Sequence, residues 1–210
     1  MLGDFTPWHF DLAFVPLSNR GAMLRSVQLP KIGGKTGFID GVEVYDRLPA
    51  SLKVQVDNIE IVYQMEFDHA RNPFALRAAR RSITLLRENK SIRSMRNRQE
   101  KDYPPVIFPA IICHPESGRK MLHISPLFAR HILGMEGAEG DALLGQLIDH
   151  TTDDSLAYYH DLKNDELVLW DNFRTIHSAE GVPQGESREM HRTTISATQE
   201  LGRYLIPQPA

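Results

Sequence analysis

The chain has 210 residues, of which 41% are hydrophobic and 24% are charged, and this composition is typical of one globular domain. Its 24 Lys and Arg residues against 27 Asp and Glu residues give a formal net charge of -3, so the chain lacks the basic excess that nucleic-acid binding needs. The longest apolar run, residues 106–113, is far shorter than the roughly 20 residues that span a bilayer, and the single Cys113 cannot form an intrachain disulfide. We therefore predict a cytoplasmic protein with neither a nucleic-acid nor a membrane partner.

The first half of the chain contains two predicted strands and two predicted helices. Short runs of β-branched and aromatic residues predict strands over residues 22–29 and 36–39. A proline at the first turn, followed by apolar residues at helical spacing, predicts a helix over residues 50–65. A second, largely polar helix is predicted over residues 77–98. It lies in segment 71–101, whose ten basic and two acidic residues give a local charge of +8, and we predict an exposed, lid-like insertion there.

The second half is predicted to be richer in strands. In chain order it contains strands over residues 106–113 and 120–124, helices over 125–133 and 140–150, and strands over 156–162, 167–170 and 193–197. The polar residues 163–166 are predicted to join two of these strands as an antiparallel hairpin. The long, largely helical connection 40–105 between early and late strands is typical of a jelly-roll barrel with helical insertions. The sequence thus predicts one mainly β domain of the α+β class over residues 1–210.

A possible metal site begins with His9-Phe10-Asp11. If this segment is a strand, residues two apart point to the same face, which suits two ligands of one metal ion. The pair alone is weak evidence, because about 0.6 such pairs are expected by chance in a chain of this composition. His114-Pro115-Glu116 is a similar pair, but its proline and the following Ser-Gly favour a structural turn.

The best candidate for a third ligand is His177, which follows the motif Trp170-Asp171-Asn172. Two histidines and one carboxylate leave three positions open on an iron ion, as in non-haem Fe(II) oxygenases. A zinc enzyme with the same ligands is the alternative from the residues alone. Trp8 and Phe10 flank the first pair and belong either to the core or to a substrate pocket.

Four motifs follow one another along the chain: His9-x-Asp11, Gly33-Gly34-Lys35-Thr36-Gly37-Phe38, Trp170-Asp171-Asn172 with His177, and Arg188-x-x-x-Arg192-Thr193-Thr194-Ile195. In this order they resemble the taurine/2,4-dichlorophenoxyacetate dioxygenase family of Fe(II)/2-oxoglutarate enzymes. The resemblance extends from about residue 8 to residue 197. It implies a double-stranded β-helix (jelly-roll) fold in which His9, Asp11 and His177 bind Fe(II).

The resemblance also implies the rest of the reaction site. Thr36 and Arg188 would hold the distal carboxylate of 2-oxoglutarate, since a guanidinium offers a planar fork matched to a carboxylate. Arg192 stands where taurine-type relatives bind an anionic substrate group, although it could instead be a structural arginine. Dioxygen would be reduced while 2-oxoglutarate is converted to succinate and carbon dioxide, and a small carboxylate or sulfonate would be hydroxylated. Asp11 favours hydroxylation over halogenation, because related halogenases lack this carboxylate.

The sequence departs from the family at its start, where only eight residues precede His9. We expect either a fragment or a minimal barrel, and a barrel that lacks an early strand would expose an edge that favours a homo-oligomer. The alternative function is a truncated, catalytically silent barrel that acts as a binding or assembly unit. A zinc hydrolase is a third hypothesis, but no obvious general base accompanies the three ligands.

Overall fold

The computed structural model describes residues 2–3, 5–80 and 102–206. The strands are β1 (Leu2–Gly3), β2 (Thr6–His9), β3 (Gly21–Gln28), β4 (Thr36–Asp40), β5 (Glu60–Tyr63), β6 (Val106–Pro109), β7 (Ile111–Cys113), β8 (Lys120–Leu122), β9 (Ala129–Ile132), β10 (Tyr158–His160), β11 (Leu167–Asp171), β12 (Thr175–Ala179), β13 (Val182–Pro183), β14 (Glu189–Ile195) and β15 (Arg203–Tyr204). The helices are α1 (Gly41–Arg47), α2 (Ala50–Val56), α3 (Pro73–Ala79) and α4 (Ala138–Thr151), with short 3-10 turns at His69–Arg71 and Asp154–Leu156.

Three antiparallel sheets organise the described residues. Sheet I has the strand order β10-β4-β12-β2, sheet II has the order β11-β3-β14, and sheet III has the order β15-β6-β5-β9. Two smaller pairs, β7-β8 and β1-β13, complete the pairing. Sheets I and II contact each other through Phe38 and Trp170, whose ring centroids lie 5.7 Å apart. The described residues form separate sheets without a closed barrel.

The main hydrophobic core lies among the helices, sheet III and strand β2. Helix α4 contributes Leu144, Leu147 and Ile148, which are completely buried. Burying a side chain of this size stabilises the fold by about 1.5–3 kcal/mol. The helix predicted over residues 140–150 is confirmed, and the strands predicted over 22–29, 36–39 and 167–170 are confirmed to within one residue at each end.

The helix predicted over residues 50–65 is wrong beyond Val56. Helix α2 ends at Val56, and Glu60–Tyr63 forms strand β5 between β6 and β9. The last three residues of β5 are all buried, as expected for a strand covered on both faces. A short, continuous apolar run fits helical spacing and a buried strand equally well, and the pairing partners decide between them.

The helix predicted over residues 125–133 is also wrong. A single turn, in which the Phe128 N–H donates to the Ser125 carbonyl, leads into strand β9. Strand β9 pairs with β5, so tertiary pairing overrides a weak local helical pattern.

The hairpin predicted at residues 163–166 is wrong because its two flanking strands belong to different sheets. Strand β10 pairs with β4 in sheet I, whereas β11 pairs with β3 in sheet II. The turn contains Asp165 with a φ of 63°. It therefore carries the chain from one sheet to the other.

The remaining predicted elements differ in their ends. The strand predicted over 106–113 is divided at Ala110 into β6 and β7, and the Ala110 N–H donates to the Ile59 carbonyl. The 156–162 and 120–124 strands are shorter, and the 193–197 strand is β14, which starts at Glu189. Strand β12 and helix α1 were not predicted.

The predicted lid lies mostly outside the described residues. Helix α3 ends at Ala79, followed by Arg80 with a φ of 50°, so the helix predicted from residue 77 is interrupted there. Residues 81–98 of that prediction fall outside the described residues. In the described ranges, the helices are all too short or too polar to cross a membrane.

Candidate metal centre and active site

Two neighbouring strands of sheet I bring two histidines face to face. His9 is the last residue of β2 and lies directly opposite His177 of β12 in the antiparallel register. Residues directly opposite each other share a face of the sheet, and the two imidazole centroids are 4.2 Å apart. The sequence predicted this meeting only through the order of the motifs, since β12 was not recognised as a strand.

Asp11 completes the cluster in a way that differs from the predicted geometry. Strand β2 ends at His9, so Asp11 lies in a turn and not two positions along a strand. Its Oδ1 is nevertheless 3.6 Å from His9 Nε2 and 3.5 Å from His177 Nε2. Among the described residues, these three form the one group of at least three potential ligands whose donor atoms lie within 4.8 Å of one another.

The separations within this cluster fit a shared cation better than direct hydrogen bonds. Distances of 3.5 and 3.6 Å exceed the usual hydrogen-bond range. Two ligand atoms that each lie about 2.0–2.2 Å from one metal ion can be separated by such a distance. His9, Asp11 and His177 are 8%, 7% and 6% exposed, so water screens their charges little.

Hydrogen bonding fixes one of the two imidazoles in a form suited to metal binding. His9 Nδ1 lies 2.7 Å from the Pro7 carbonyl oxygen, and because a carbonyl can only accept, Nδ1 carries the proton. In the neutral ring the lone pair is then on Nε2, the atom that faces Asp11. A hydrogen bond from the outer nitrogen to a backbone carbonyl is the usual support of a metal-binding histidine.

The electrostatics of the cluster favour an ionised carboxylate and a neutral His177. Burial by itself raises the pKa of Asp11, but the interactions of its carboxylate with His177 and His9 outweigh burial and hold the pKa well below its usual range. Burial, together with the charge of His9, lowers the pKa of His177 to about 4. These protonation states are the ones that metal binding requires.

Arg192 contacts the other oxygen of the same carboxylate. Its Nη2 donates to Asp11 Oδ2, and its guanidinium carbon lies 5.6 Å from the centre of the Trp170 ring. Arg192 is on β14 of sheet II, so it approaches Asp11 from the sheet opposite the two histidines. The structure thus places the predicted substrate-binding arginine next to the cluster.

Thr36 and Arg188 lie together, as the resemblance implied. Arg188 Nη2 donates to Thr36 Oγ1 over 3.0 Å. In the pairing of β4 with β12, Thr36 is opposite Ala179 and Phe38 is opposite His177, so Thr36 shares the face of sheet I on which His177 lies. The two residues therefore form a polar pair one register step from the histidines.

A glycine makes room for this pair. Gly34 has a φ of +75°, a region that favours glycine. A Cβ added there would lie 2.7 Å from Pro30 Cγ and 3.3 Å from Arg188 Cδ. The glycine-rich segment before β4 therefore allows the Arg188 side chain to pass close to the backbone.

A cavity of about 550 Å³ opens beside the cluster. It is lined by His9, Asp11, Leu12, Phe14, Phe128, Arg192, Thr193 and Thr194. Phe14 and Phe128 pack edge to face with centroids 5.1 Å apart and form an aromatic wall. Leu12 and Phe128 were not identified from the sequence, because nothing local distinguishes a cavity-lining apolar residue from a core residue.

The flanking aromatic residues lie in the core. Phe10 is completely buried and stacks on His123 with a centroid distance of 3.9 Å. Trp8 is 5% exposed and is also part of the core. His114, the rival candidate, instead contacts Asp171 Oδ2 through its Nε2 at 2.9 Å, and this supports its structural interpretation.

Comparison with known proteins identifies the family. Residues 2–194 match the family described as "Taurine catabolism dioxygenase TauD, TfdA family". The chain belongs to this family. The resemblance predicted from four motifs is therefore confirmed for the TauD/TfdA family over nearly the whole chain.

Two of the curated relatives are named as dioxygenases that use alpha-ketoglutarate. An alpha-ketoglutarate-dependent 2,4-dichlorophenoxyacetate dioxygenase of Burkholderia sp. (strain RASC) is 34% identical over 196 residues, which are 92% of this chain and 60% of the relative. An (S)-phenoxypropionate/alpha-ketoglutarate-dioxygenase of Sphingobium herbicidovorans is 30% identical over 192 residues, which are 90% of this chain and 61% of the relative. The chain therefore spans about 60% of the length of these curated relatives.

The structural comparison confirms the jelly-roll fold class. The crystal structure of AAD-2 in complex with Mn(II) and N-oxalylglycine has a TM-score of 0.74 and 26% identity, and the match covers 92% of this chain and 69% of that chain. The prediction of a mainly β, jelly-roll fold is therefore confirmed, although several of the predicted strand and helix boundaries are wrong.

Proposed function

We propose that this chain acts as an Fe(II)- and 2-oxoglutarate-dependent dioxygenase that hydroxylates a small anionic substrate and releases succinate and carbon dioxide. The observation that carries the proposal is the convergence of His9, Asp11 and His177 next to a cavity lined by Arg192. Family membership supports the same reaction class. The balanced reaction inserts one oxygen atom of dioxygen into a substrate C–H bond and the other into succinate.

The residues present fit a ferrous ion. Two imidazoles and one ionised carboxylate form the ligand set typical of non-haem Fe(II) oxygenases. His9 is held in the tautomer that leaves Nε2 available, and all three residues are buried. Bound Fe(II) would supply the positions at which 2-oxoglutarate and dioxygen meet, while 2-oxoglutarate and the substrate each supply two of the four electrons that reduce dioxygen.

Arg188 and Thr36 are proposed to hold the distal carboxylate of 2-oxoglutarate. The guanidinium donates to the Thr36 hydroxyl, so both groups lie where they could donate to one carboxylate beside them. The solved neighbour that contains Mn(II) and N-oxalylglycine supports the use of a 2-oxo acid cosubstrate, because N-oxalylglycine, like 2-oxoglutarate, has two carboxylates separated by a short chain. The charge of Arg188 is the main attraction in this subsite.

The substrate is proposed to be a small carboxylate or sulfonate. Arg192 offers a cation inside the cavity, where an unpaired anion would otherwise be costly to bury. Phe14 and Phe128 form an apolar wall on the same cavity, so the uncharged part of the substrate has a surface to contact. The names of the two relatives, which act on phenoxypropionate and 2,4-dichlorophenoxyacetate, support an organic acid. Cytoplasmic location and homo-oligomerisation stay predictions.

An anaerobic titration tests the metal and cosubstrate together. Adding Fe(II) and then 2-oxoglutarate to the apo protein should produce a visible charge-transfer band, and the same additions should raise the thermal midpoint. The His177→Ala variant should show neither change. In air, carboxylates or sulfonates should then stimulate succinate release. If the wild type showed neither the band nor the stabilisation, the proposed function would be refuted. If it showed the band and the stabilisation but no compound stimulated succinate release, the silent-barrel alternative would be favoured.

A further inference from the structure

Asn172 holds the backbone of Asp11 at both of its polar groups. The Asn172 Oδ1 accepts from the Asp11 N–H at 2.8 Å, and Asn172 Nδ2 donates to the Asp11 carbonyl at 3.2 Å. The same Nδ2 donates to the Asn19 carbonyl at 3.0 Å. Asn172 is completely buried, so water cannot replace these bonds. We call this arrangement the amide clamp.

The amide clamp acts on a segment that lacks other regular support. Asp11 lies beyond the end of β2, so no strand ladder fixes its backbone. The next residue, Leu12, has a φ of 56°, a left-handed conformation that is unfavourable for a non-glycine residue. Such a conformation persists only where the surrounding structure holds it. The hydrogen bonds from Asn172 offset this cost at the residue immediately before Leu12.

The clamp is itself rigidly placed. The Asn172 N–H donates to the Arg20 carbonyl at 3.0 Å. The neighbouring Asp171 carboxylate accepts from the Phe173 N–H at 2.9 Å, contacts His114 Nε2 at 2.9 Å and pairs with Arg20. The turn that carries Asn172 leads directly into β12. It therefore connects the Asp11 turn to the strand that carries His177.

We propose that Asn172 is a positioning residue that sets the Asp11 carboxylate relative to the two histidines. This inference rests on the proposed function, because it assigns Asn172 to the support of a metal ligand. Arg192 contacts Oδ2 of Asp11. The other oxygen, Oδ1, lies 3.6 Å from His9 Nε2 and 3.5 Å from His177 Nε2, beyond the usual hydrogen-bond range. The clamp is thus the contact that fixes the backbone from which the carboxylate extends.

The chain offers a matched control for the loss of a buried amide. Asn72 is also completely buried, its Nδ2 donates to the carbonyls of Leu127 and Ala129, and its Oδ1 accepts from two N–H groups of α3. None of these bonds reaches the backbone of His9, Asp11 or His177. Asn72→Ala therefore removes a comparable set of buried hydrogen bonds without touching the ligands.

The experiment compares metal affinity with stability. Apo wild type, Asn172→Ala, Asn172→Ser and Asn72→Ala are titrated with Co(II), whose visible absorption reports the geometry of its ligands, and the thermal midpoint of each apo protein is measured. Both Asn172 variants should bind Co(II) about 10–100-fold more weakly, with an altered absorption spectrum, as expected when the support of a ligand is removed. Asn72→Ala should lower the midpoint by a similar amount and leave the Co(II) affinity within about threefold of wild type. Asn172→Ser makes the smaller polar change and provides the comparison if Asn172→Ala does not fold.

Two results would overturn the inference. Wild-type Co(II) affinity and spectrum in the Asn172 variants would show that Asn172 has only a structural role, and an equal loss of affinity in Asn72→Ala would show that the effect is general. A wild-type protein that binds no Co(II) would refute the proposed function itself and the inference that rests on it.

Discussion

Arg192 lies against Oδ2 of Asp11, while Oδ1 of the same carboxylate faces the two histidines. One carboxylate therefore links the candidate metal position to the cation of the cavity. The guanidinium also lies over the ring of Trp170, so Arg192 is held on two sides. An anion bound by Arg192 would consequently lie beside the carboxylate that we propose as a metal ligand.

Arg192→Ala should remove the preference for anionic substrates. In wild type, acids and sulfonates should stimulate succinate release more than matched neutral amides, because hydrogen bonds to a charged group contribute about 1.5–3 kcal/mol. The variant should lose a factor of at least about ten in kcat/KM for anions and little for amides. Arg25→Ala is the control, since Arg25 is on the strand next to β14 but pairs with Asp165 and does not line the cavity. A preference that survives in Arg192→Ala would show that Arg192 is structural.

Arg188→Ala should weaken 2-oxoglutarate binding while metal binding is retained. The substitution removes a charged donor from the pair with Thr36, and the corresponding 1.5–3 kcal/mol converts to a loss of roughly ten- to more than a hundredfold in affinity. Calorimetric titration of the metal-loaded protein measures it. The 2-oxoglutarate affinity of Arg188→Lys should lie between those of wild type and Arg188→Ala, because lysine keeps the charge but not the planar fork. If the affinity were the same in wild type and Arg188→Ala, the assigned subsite would be incorrect.

The identity of the three clustered residues, His9, Asp11 and His177, could be predicted from the sequence, because they belong to motifs that occur in a recognisable order. The geometry of the cluster could not be predicted. Asp11 is in a turn and not on a strand, and its carboxylate reaches the histidines only because a turn with a left-handed Leu12 redirects the chain. Such a conformation depends on distant partners, here Asn172, which is 161 positions away in the sequence. Local pattern cannot reveal a contact of that kind.

The errors in the fold have the same origin. Residues 60–63 and 129–132 were predicted as parts of helices, yet they pair with each other in sheet III. Each is a short apolar segment whose periodicity fits either structure, so the partner strand determines the outcome. Helix α4 was predicted correctly because its 14 residues are long enough for one apolar stripe to be distinguished from a strand.

His123 should make stability depend on pH in the mildly acidic range. Burial lowers its pKa to about 3, against an ordinary value of 6.5. The folded protein keeps His123 neutral while the unfolded chain takes up a proton, so the stabilisation is present above pH 6.5 and is lost as the pH falls from 6.5 toward 3. The expected slope from this group is up to about 1.4 kcal/mol per pH unit.

Urea unfolding at several pH values between 6.5 and 4.5 measures this slope. His123→Phe keeps the ring contact with Phe10 and removes both ring nitrogens, which have no hydrogen-bond partner among the described residues. Its free energy of unfolding should therefore depend less on pH. His191→Gln alters a histidine whose side chain is 63% exposed and should retain the wild-type slope. Equal slopes in wild type and His123→Phe would contradict the prediction.

Gly34→Ala should raise the KM for 2-oxoglutarate through crowding of Arg188. The added methyl group would meet Pro30 at 2.7 Å and Arg188 Cδ at 3.3 Å, and the φ of +75° adds a backbone cost of about 1–2 kcal/mol. Gly118→Ala separates the two effects, because Gly118 has a φ of +68° and an added Cβ there would contact nothing within 4 Å. Both variants should therefore lose stability, but only Gly34→Ala should bind 2-oxoglutarate more weakly, with its Co(II) affinity unchanged. If Gly118→Ala raised the KM equally, or Gly34→Ala left it at the wild-type value, the close approach of Arg188 to the glycine segment would have no part in holding the cosubstrate.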